Sequence, residues 1–306
     1  MSEQKLQSQT VQTTGHAWDG DLQEYNNPLP VWWVYTFYAT VIFAIVYWTI
    51  YPSWPFGKGW LGGVADITYV NSDGETKTHS WNTRALLMEK LNAASVEQKP
   101  YFDKVASMSY EQIAKDPEMS GFIQSAGKAL FSDNCAPCHQ AGGQGKIGFF
   151  PNLTDDDWLY GGTYAKIHET LMEGRRGYMP TFGEVLAADQ IDSLANYVAS
   201  LSGIPHDAGK ASAGNVLFHS ETAACFYCHG GDAKGRKDIG APNLTDNIWL
   251  WADVPGSDAA EGKIAAIRNV IAQGLNKGVM PVWAGRLSSE QIKVLTVYVH
   301  DLGGGQ

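Results

Sequence analysis

The feature that most constrains the fold of this 306-residue chain is a Cys-x-x-Cys-His motif that occurs twice. The two copies are Cys135-Ala-Pro-Cys138-His139 and Cys225-Phe-Tyr-Cys228-His229. Two thiols at this spacing can bond to the two vinyl groups of one haem, while the adjacent histidine places its imidazole on the iron. The repeat therefore predicts two covalently bound haems c, attached at Cys135, Cys138, Cys225 and Cys228 and ligated by His139 and His229.

Other uses of paired cysteines fit this chain less well. A zinc site would bring four thiolates around one ion, but each cysteine pair has its own histidine and its own downstream methionine, which zinc does not use. A thioredoxin-like redox pair would need a βαβ context, and the sequence does not predict one. The motif cysteines are all the cysteines in the chain, so haem attachment leaves no thiol for a disulfide.

The sixth iron ligand of each haem is predicted from the methionines that follow the motifs. After Cys228 the only methionine is Met280, in a Met-Pro pair, whereas His300 lies near the chain end on a predicted helix. After the first motif, Met172 falls in a helix-like run where methionine commonly serves core packing, and Met179 lies in a Gly-Tyr-Met-Pro loop. We therefore expect Met179 to ligate the first haem and Met280 the second, with Met172 as the alternative for the first.

Ligation by histidine and methionine would leave neither iron with an open position. A thioether favours ferrous iron and raises the reduction potential relative to bis-histidine ligation. Such a site suits electron transfer and has no place for a substrate. We therefore expect the chain to have no catalytic site of its own.

The duplication extends beyond the haem motifs. Residues 149–159 match residues 240–250 around a shared Pro-Asn-Leu-Thr-Asp core, and a tyrosine follows each Met-Pro methionine at the same interval. Before each motif, a helix-like segment carries a glycine four positions ahead of a phenylalanine, at Gly127 and Gly214. A glycine beside an aromatic residue on one helix face lets another helix approach closely. In these features residues 121–304 resemble the class I cytochromes c.

That resemblance implies contacts around each haem. The N-terminal and C-terminal helices of each domain are expected to cross at the glycine/aromatic contact. The carbonyls of Pro151 and Pro242 are expected to accept the ring hydrogens of the haem-ligating histidines. A plainer interpretation of the Pro-Asn-Leu-Thr segments is turn chemistry, with Asn and Thr capping helices that begin at Asp155 and Asp246.

A membrane span is predicted near the N-terminus. Residues 25–57 contain no Asp, Glu, Lys or Arg, and residues 31–51 are almost wholly apolar or aromatic. About 20 helical residues cross a bilayer core, and tryptophans at both ends of the stretch fit an interfacial aromatic belt. A buried helix of a soluble domain is disfavoured by this length without charge. A cleaved signal peptide is disfavoured because the stretch is too long and no basic segment precedes it.

The predicted fold class is mainly α, with one N-terminal transmembrane helix followed by two tandem class I cytochrome c domains. The predicted boundaries are 1–30 for a cytoplasmic segment, 31–51 for the anchor, 52–120 for a periplasmic spacer, 121–204 for the first cytochrome domain and 205–306 for the second. The spacer shows a possible hairpin around residues 71–74, helix-like runs and no residues that suggest chemistry.

The chain is acidic, with a formal net charge of -10 before any haem propionate is added. The run Asp155-Asp156-Asp157 is either a solvated loop or a surface that steers a basic cytochrome c. We expect no nucleic-acid partner.

A more specific pattern precedes the anchor. It reads His16-Ala-Trp-Asp-Gly-Asp-Leu-Gln-Glu-Tyr-Asn-Asn-Pro-Leu-Pro-Val-Trp-Trp33. With a single anchor and two cytochrome domains behind it, this run resembles CcoP/FixP, the dihaem subunit family of cbb3-type cytochrome c oxidases, over nearly the whole chain. Val31 stands where that family is expected to have Arg. We expect this segment to pack against the oxidase core or an assembly partner.

The resemblance to CcoP/FixP implies electron transfer in aerobic respiration. Electrons would pass from a soluble or membrane-bound donor cytochrome c to one haem and then the other. They would continue to the monohaem cytochrome c subunit and the catalytic haem-copper subunit of the oxidase. Because haem c is attached on the outer face of the bacterial inner membrane, the N-terminus is expected in the cytoplasm and the haem domains in the periplasm.

Other functions share some of these features. A membrane-anchored dihaem cytochrome that donates to another respiratory enzyme would carry the same haem motifs and differ before the anchor. A dihaem peroxidase or a gas sensor needs an iron with a displaceable or missing ligand, which two Met-Pro loops disfavour. The eight histidines are scattered along the chain, so no copper site is predicted, and the span has no ionisable group for proton pumping.

Overall fold

The computed structural model describes residues 12–71, 74–276 and 278–303. Four parts of the predicted regions lie outside these residues: the first part of the cytoplasmic segment (1–11), the tip of the predicted hairpin (72–73), and residues 277 and 304–306 of the second cytochrome domain. The chain divides into two compact units, Met1–Glu97 and Gln98–Gln306.

The first unit combines one long apolar helix with short antiparallel hairpins. Its elements are β1 (Thr13–Trp18), β2 (Leu22–Tyr25), α1 (Val31–Ile50), β3 (Pro55–Phe56), β4 (Gly59–Trp60), β5 (Asp66–Val70), β6 (Thr76–Ser80) and the beginning of α2 (Thr83–Ser107). Strands pair with their neighbours in sequence, as β1-β2, β3-β4 and β5-β6. The hairpin predicted around residues 71–74 is confirmed by the register of β5 and β6, in which Val70 pairs with Thr76.

Helix α1 is the one candidate membrane span among the described residues. Its 20 residues have a mean hydropathy of 1.5, and none of them is buried against the rest of the chain. A helix of 20 residues rises about 30 Å, which matches the hydrocarbon thickness of a bilayer. An apolar helix that is not covered by the rest of its chain is typical of a helix that packs against lipid or other membrane helices. The predicted anchor thus takes the bounds Val31–Ile50.

The second unit is built from helices joined by irregular loops. Beyond the end of α2, its helices are α3 (Tyr110–Lys115), α4 (Pro117–Phe122), a π-helical turn (Ile123–Gly127), α5 (Lys128–Asn134), α6 (Ala136–His139), α7 (Tyr164–Glu173), α8 (Ala188–Leu201), α9 (Ala208–Phe218), α10 (Phe226–His229), α11 (Ala260–Gln273) and α12 (Ser289–His300). Two short strands, β7 (Arg175–Arg176) and β8 (Val279–Met280), form an antiparallel pair. The predicted mainly α fold is confirmed.

Several helices of this unit are amphipathic, and five of them, α3, α4, α7, α9 and α12, begin at a residue whose side chain caps the helix. Helix α8 buries Ile191, Leu194 and Val198, which recur at three- and four-residue spacing on one face. Helix α12 begins where Ser288 Oγ accepts a hydrogen bond from the backbone N–H of Gln291 at 3.2 Å. The apolar faces of the helices converge on two clusters, one for each haem motif.

Part of the predicted spacer belongs to the core of the second unit. Val105, Ile113 and Met119 are fully buried in the same cluster as Cys135. The unit that carries the haem motifs begins at Gln98. The C-terminal part of the spacer therefore forms a wall of the first cluster.

The two repeats exchange their C-terminal helices. Helix α12 packs against α7 and the π-helical turn of the first repeat, and α8 packs against α9 and α11 of the second. A Cβ added to Gly127 would lie 2.7 Å from Tyr298 Cβ, and one added to Gly214 would lie 2.8 Å from Tyr197 Cβ. Only glycine permits either approach. The predicted glycine/aromatic contacts exist, but each one joins the two repeats, so the expectation that each domain's own terminal helices cross is wrong.

The exchange takes place in the segments that follow α7 and α11. Gly174 and Gly274 end these helices with φ of 70° and 64°, a region that glycine enters without strain. Strand β7 then pairs with β8, so that Met280 lies beside the end of α7. Met179 exchanges two backbone hydrogen bonds of 2.8 and 2.9 Å with Leu275, just beyond α11. Each Met-Pro loop is thus held by the helix of the other repeat.

Candidate haem sites

Each haem-attachment motif folds as a single helical turn. We define the first haem site by Cys135-Ala-Pro-Cys138-His139 and the second haem site by Cys225-Phe-Tyr-Cys228-His229. In both, the backbone N–H of the histidine donates a hydrogen bond of 2.9 Å to the backbone carbonyl of the first cysteine. Residues three apart on a helical turn share a side. Both thiols of a motif can therefore reach one haem while the histidine follows directly.

The two histidines are held so that Nε2 is free. His139 Nδ1 lies 3.0 Å from the carbonyl oxygen of Pro151, and His229 Nδ1 lies 3.1 Å from that of Pro242. Because a carbonyl only accepts, Nδ1 carries the hydrogen in both rings and the Nε2 lone pair is available to a metal. Burial lowers the pKa of both histidines and so favours neutral rings. The proline contacts that the class I resemblance implied are confirmed.

The Pro-Asn-Leu-Thr segments are turns and do not start helices. Asn152 Oδ1 accepts hydrogen bonds from the backbone N–H and the hydroxyl of Thr154 at 3.0 and 2.8 Å. Asn243 and Thr245 repeat the arrangement at the same two distances. No helix begins at the aspartates that follow, so that part of the turn interpretation is wrong. The turns instead fix the proline carbonyls that orient the histidines.

The leading cysteine of each motif is a poor nucleophile in this setting. Burial raises the pKa of the Cys135 thiol to about 11, and that of Cys225 to about 11 as well. Reactive cysteine pairs of the thioredoxin kind lower the thiol pKa. All four motif cysteines are free of disulfides, and Cys138 and Cys228 are exposed. The leading cysteines therefore differ from the activated cysteines of disulfide-exchange proteins.

The structure places the methionines differently from the sequence expectation. Met280 packs against the cluster that contains Cys135. Met179 and Cys225 both pack against the other cluster. Met280 therefore lies with the first haem site and Met179 with the second, which is the reverse of the predicted pairing. Met172 is exposed on α7 and does not line the cavity that both sites share.

One cavity of about 1060 Å³ joins the two sites. Both motifs, both histidine-orienting prolines and both Met-Pro loops line it, and most of the remaining wall is aliphatic or aromatic. A haem has an apolar macrocycle, so it needs walls of this kind and a nitrogen or sulfur donor on each face. The residues present at each site fit a haem c.

The cavity also has charged residues in its wall. The aspartates are Asp157 and Asp246, and the basic residues among the described part of the wall, apart from the two histidines, are Arg175 and Arg176. Burial, reinforced by repulsion from Asp246 and Asp155, raises the pKa of Asp157 to about 6. These charges lie where the repeats meet and are not repeated symmetrically. Ile248 occupies the position in the second repeat that corresponds to Asp157.

Comparison with known protein families accounts for both parts of the chain. Residues 10–58 match the N-terminal domain of cytochrome oxidase-cbb3, FixP. Residues 124–198 and 209–299 match the family described as cytochrome c oxidase, cbb3-type, subunit III, with one segment for each repeat. The chain belongs to the FixP/CcoP family of cbb3-type cytochrome c oxidase subunits.

Similar proteins are spread across several bacteria. The chain is 44% identical over 303 residues to the cbb3-type cytochrome c oxidase subunit FixP of Azorhizobium caulinodans, covering 96% of this chain and 94% of that protein. It is 44% identical over 308 residues to FixP of Bradyrhizobium diazoefficiens, covering 96% and 95%. It is 40% identical over 311 residues to the subunit CcoP of Azospirillum sp. strain B510, covering 97% and 96%. The resemblance inferred from residues 16–33 and the haem motifs is confirmed.

Membership of the FixP/CcoP family supports several predictions at a coarse level. The chain is an electron-transport subunit of a cbb3-type oxidase with cytochrome c domains, which imply haem c, and it has other oxidase subunits as partners. One helix is long and apolar enough to cross a membrane among the described residues.

Sequence reasoning missed two structural contributors to the haem sites. The first is the wall formed by α2, α3 and α4, whose buried residues Val105, Ile113 and Met119 are too widely spaced to stand out from their polar neighbours. The second is the crossed position of the Met-Pro loops. The sequence feature that comes closest to indicating this position is the Gly-Arg-Arg-Gly run before Met179. Its glycines allow the chain to continue in an extended conformation towards the other repeat instead of turning back.

Proposed function

We propose that this FixP/CcoP subunit is a dihaem electron relay that accepts electrons from a donor cytochrome c. It passes them to the monohaem cytochrome c subunit and the haem-copper catalytic subunit of the oxidase. The observation that carries the proposal is a cavity lined, for each motif, by a histidine whose Nδ1 is bonded to a proline carbonyl and by a Met-Pro loop. Sites of this kind exchange electrons and have no open position for oxygen or peroxide.

We assign Met280 to the first haem site with His139, and Met179 to the second with His229. The assignment follows the packing of the loops, because the end of α7 holds Met280 and the end of α11 holds Met179. Helices α12 and α8 continue the same exchange. The four cysteines of the two motifs attach two haems c.

The bound haems would supply one-electron chemistry. The residues of the chain would orient the iron ligands and adjust the reduction potentials. The carbonyls of Pro151 and Pro242 fix the imidazole planes and increase the basicity of Nε2. The thioethers favour the ferrous state and so raise the potential. The mostly apolar wall of the cavity lowers the polarity around both sites. Among the described residues, both sites line one continuous cavity.

We place the second unit in the periplasm of a bacterial inner membrane, with α1 as a single-pass anchor and the N-terminus in the cytoplasm. Covalent attachment of haem c on the outer face of that membrane supports this orientation. The span carries no charged residue, so it offers no path for protons. In this arrangement oxygen reduction belongs to the catalytic partner subunit.

The relay is tested in the purified oxidase complex by the double change Cys225→Ala with Cys228→Ala, which removes one haem. We expect oxygen consumption supported by reduced donor cytochrome c to fall at least tenfold. A small-molecule reductant that reaches the catalytic subunit directly should still support oxygen consumption. An unchanged rate with the donor would contradict the relay. Peroxide turnover or carbon monoxide binding by the intact ferrous chain would show an open iron and would also contradict it.

We further propose that the segment before the anchor docks the subunit on its oxidase partners. Strands β1 and β2 form an exposed hairpin in which Trp18 and Tyr25 are 50% and 68% exposed. Aromatic side chains exposed in this way are typical of contact surfaces. Deletion of residues 13–25 should abolish co-purification with the catalytic subunit. The haem content should stay at two per chain, because the hairpin belongs to the first unit. Retained co-purification would refute the docking role.

A further inference from the structure

Two haems in the shared cavity would need positively charged partners for their propionates. The described wall offers such side chains in one segment, Arg175 and Arg176. Two haems bring four propionates into or beside an otherwise apolar space, and a buried carboxylate needs a cationic or hydrogen-bonding partner. Apart from the two histidines, the basic residues in the described wall are Arg175 and Arg176. Arg176 is exposed and its Nη2 donates to Asn276 Oδ1 at 3.2 Å. Arg175 is the less exposed of the two, with a half-buried side chain that is 15% exposed.

Side chains of α7, the helix that precedes Arg175, hold its guanidinium in place. Nε donates to Thr170 Oγ1 at 3.0 Å, and Nη2 donates to Glu169 Oε1 at 2.7 Å. The guanidinium also lies 4.8 Å from the ring centroid of Tyr160. Nη1 has Glu173 at 3.9 Å, which is too far for a hydrogen bond. An arginine has five N–H groups, so a fixed donor edge stays available.

The second repeat shows that the backbone at this position does not need an arginine. Leu275 follows Gly274 as Arg175 follows Gly174. The backbone of Leu275 pairs with that of Met179 in the same antiparallel manner as the backbone of Arg175 pairs with that of Met280. The same backbone role is thus filled by an apolar side chain in one repeat and by a cation in the other. The guanidinium therefore serves something other than the crossing.

We propose that Arg175 binds a propionate of the haem at the first site and raises the reduction potential of that haem relative to the second. The first site is the one served, because Arg175 leaves α7 and pairs with Met280, which both belong there. A guanidinium binds a carboxylate through two parallel hydrogen bonds. A cation beside the haem stabilises the ferrous state, which carries one more negative charge than the ferric state. The inference rests on the proposed relay function, since it needs a haem at each site.

The test is a spectroelectrochemical titration of the full chain with both haems attached, comparing the parent with Arg175→Leu, which copies Leu275. We expect one of the two haem potentials to fall and the other to stay. The expected shift is about a tenfold decrease in the ferrous-to-ferric ratio at a fixed electrode potential, or about 59 mV for a one-electron couple. Arg175→Lys should recover part of it, because it restores charge without the bidentate geometry.

The matched control is Glu169→Gln, which removes the anionic partner of Arg175 and keeps the cation. A propionate-binding role predicts that this change leaves the affected potential unchanged or raises it. If Arg175 only braces α7, both variants should lower thermal stability alike and neither should move a potential, which would overturn the proposal. Failure of the relay itself would be visible separately, as fewer than two haems per parent chain or as carbon monoxide binding by the parent.

Discussion

The two haem sites share their donors and differ in their surroundings. Each has two cysteines, a histidine whose Nδ1 donates to a proline carbonyl, and a methionine loop. Around the first site the structure adds Arg175, Trp283 and the wall from α2 to α4, whereas the second has Leu275 and Phe182 in the corresponding places. The duplication therefore preserved what binds a haem and let the residues around it diverge. Differences in potential between two such sites must come from those residues.

In the ligation that we propose, each haem site combines residues of the two repeats. Each would take its histidine from one repeat and its methionine loop from the other, in the same sense as the exchange of the C-terminal helices. Neither repeat would then form a complete haem pocket from its own residues alone. The two sites are therefore expected to fold and lose stability together, and variants that break one crossing contact should affect both.

The crossed helix contacts provide the largest expected effect. Gly127→Ala places a methyl group against Tyr298 and should lower the free energy of unfolding by about 1–3 kcal/mol through overpacking. In a chain that already carries Tyr298→Gly, which removes both the ring and the Cβ that the new methyl group meets, the added cost should shrink by at least about 1 kcal/mol, since contacting residues are coupled. Chemical denaturation of the four chains of the double-mutant cycle gives the coupling.

Tyr197 provides the control for that cycle. In a Tyr197→Gly chain, Gly127→Ala should keep its full cost, because Tyr197 faces Gly214 instead. Coupling of Gly127 to Tyr197 and not to Tyr298 would mean that each repeat pairs its own helices.

Exchanging the aromatic residues that follow the two methionines should have unequal effects, of which the larger is comparable with that of Gly127→Ala. Phe182→Trp adds volume to a packed wall and should cost about 1–3 kcal/mol. Trp283→Phe removes part of an indole ring from the wall of the shared cavity. We expect that change to cost about 1 kcal/mol of apolar burial. Equal costs for the two exchanges, measured by thermal unfolding of the haem-loaded chain, would show that the two walls are equivalent.

The smallest expected effect depends on pH. The pKa of Asp157 is raised to about 6 from an ordinary value of 3.8, chiefly by burial. A raised folded-state pKa means that the folded chain binds the proton more tightly, so stability falls as pH rises from about 4 to about 6. Asp157→Asn should therefore stabilise the chain by about 1 kcal/mol at pH 7, after discounting for solvent screening, and by nothing at pH 3.5.

Unfolding experiments at the two pH values check the Asp157 prediction. Asp156→Asn in the neighbouring exposed position is the control for removing one acidic charge. A stabilisation by Asp157→Asn that is the same at both pH values would contradict a titrating carboxyl.

Much of the fold and of the site can be predicted from the sequence, because the determining residues are local. The motifs place two thiols and an imidazole within five positions, and 20 apolar residues without a charge specify a span. The class I resemblance supplied the Pro151 and Pro242 contacts. The pairing of methionines with histidines cannot be read in this way. Met179 and Met280 stand in equivalent loops, so either pairing gives the same local pattern, and the choice depends on how Gly174 and Gly274 direct the chain.

The contribution of α2, α3 and α4 to the first site also depends on contacts between residues that are distant in sequence. Val105, Ile113 and Met119 stand in a polar stretch and become a wall only when α12 of the other repeat packs on them. A sequence without an aligned partner does not show that packing. The interpretation of this stretch as a spacer followed from its composition, which is polar on average.

The central claim is the crossed ligation, and a chain with one haem tests it most directly. In the full-length chain with Cys225→Ala and Cys228→Ala, only the first haem stays attached. The far-red absorption band of methionine-ligated ferric haem then reports on that haem alone. The crossed arrangement predicts that Met280→His abolishes the band and lowers the potential, while Met179→His leaves both unchanged. Loss of the band with Met179→His and its survival with Met280→His would contradict the crossed arrangement.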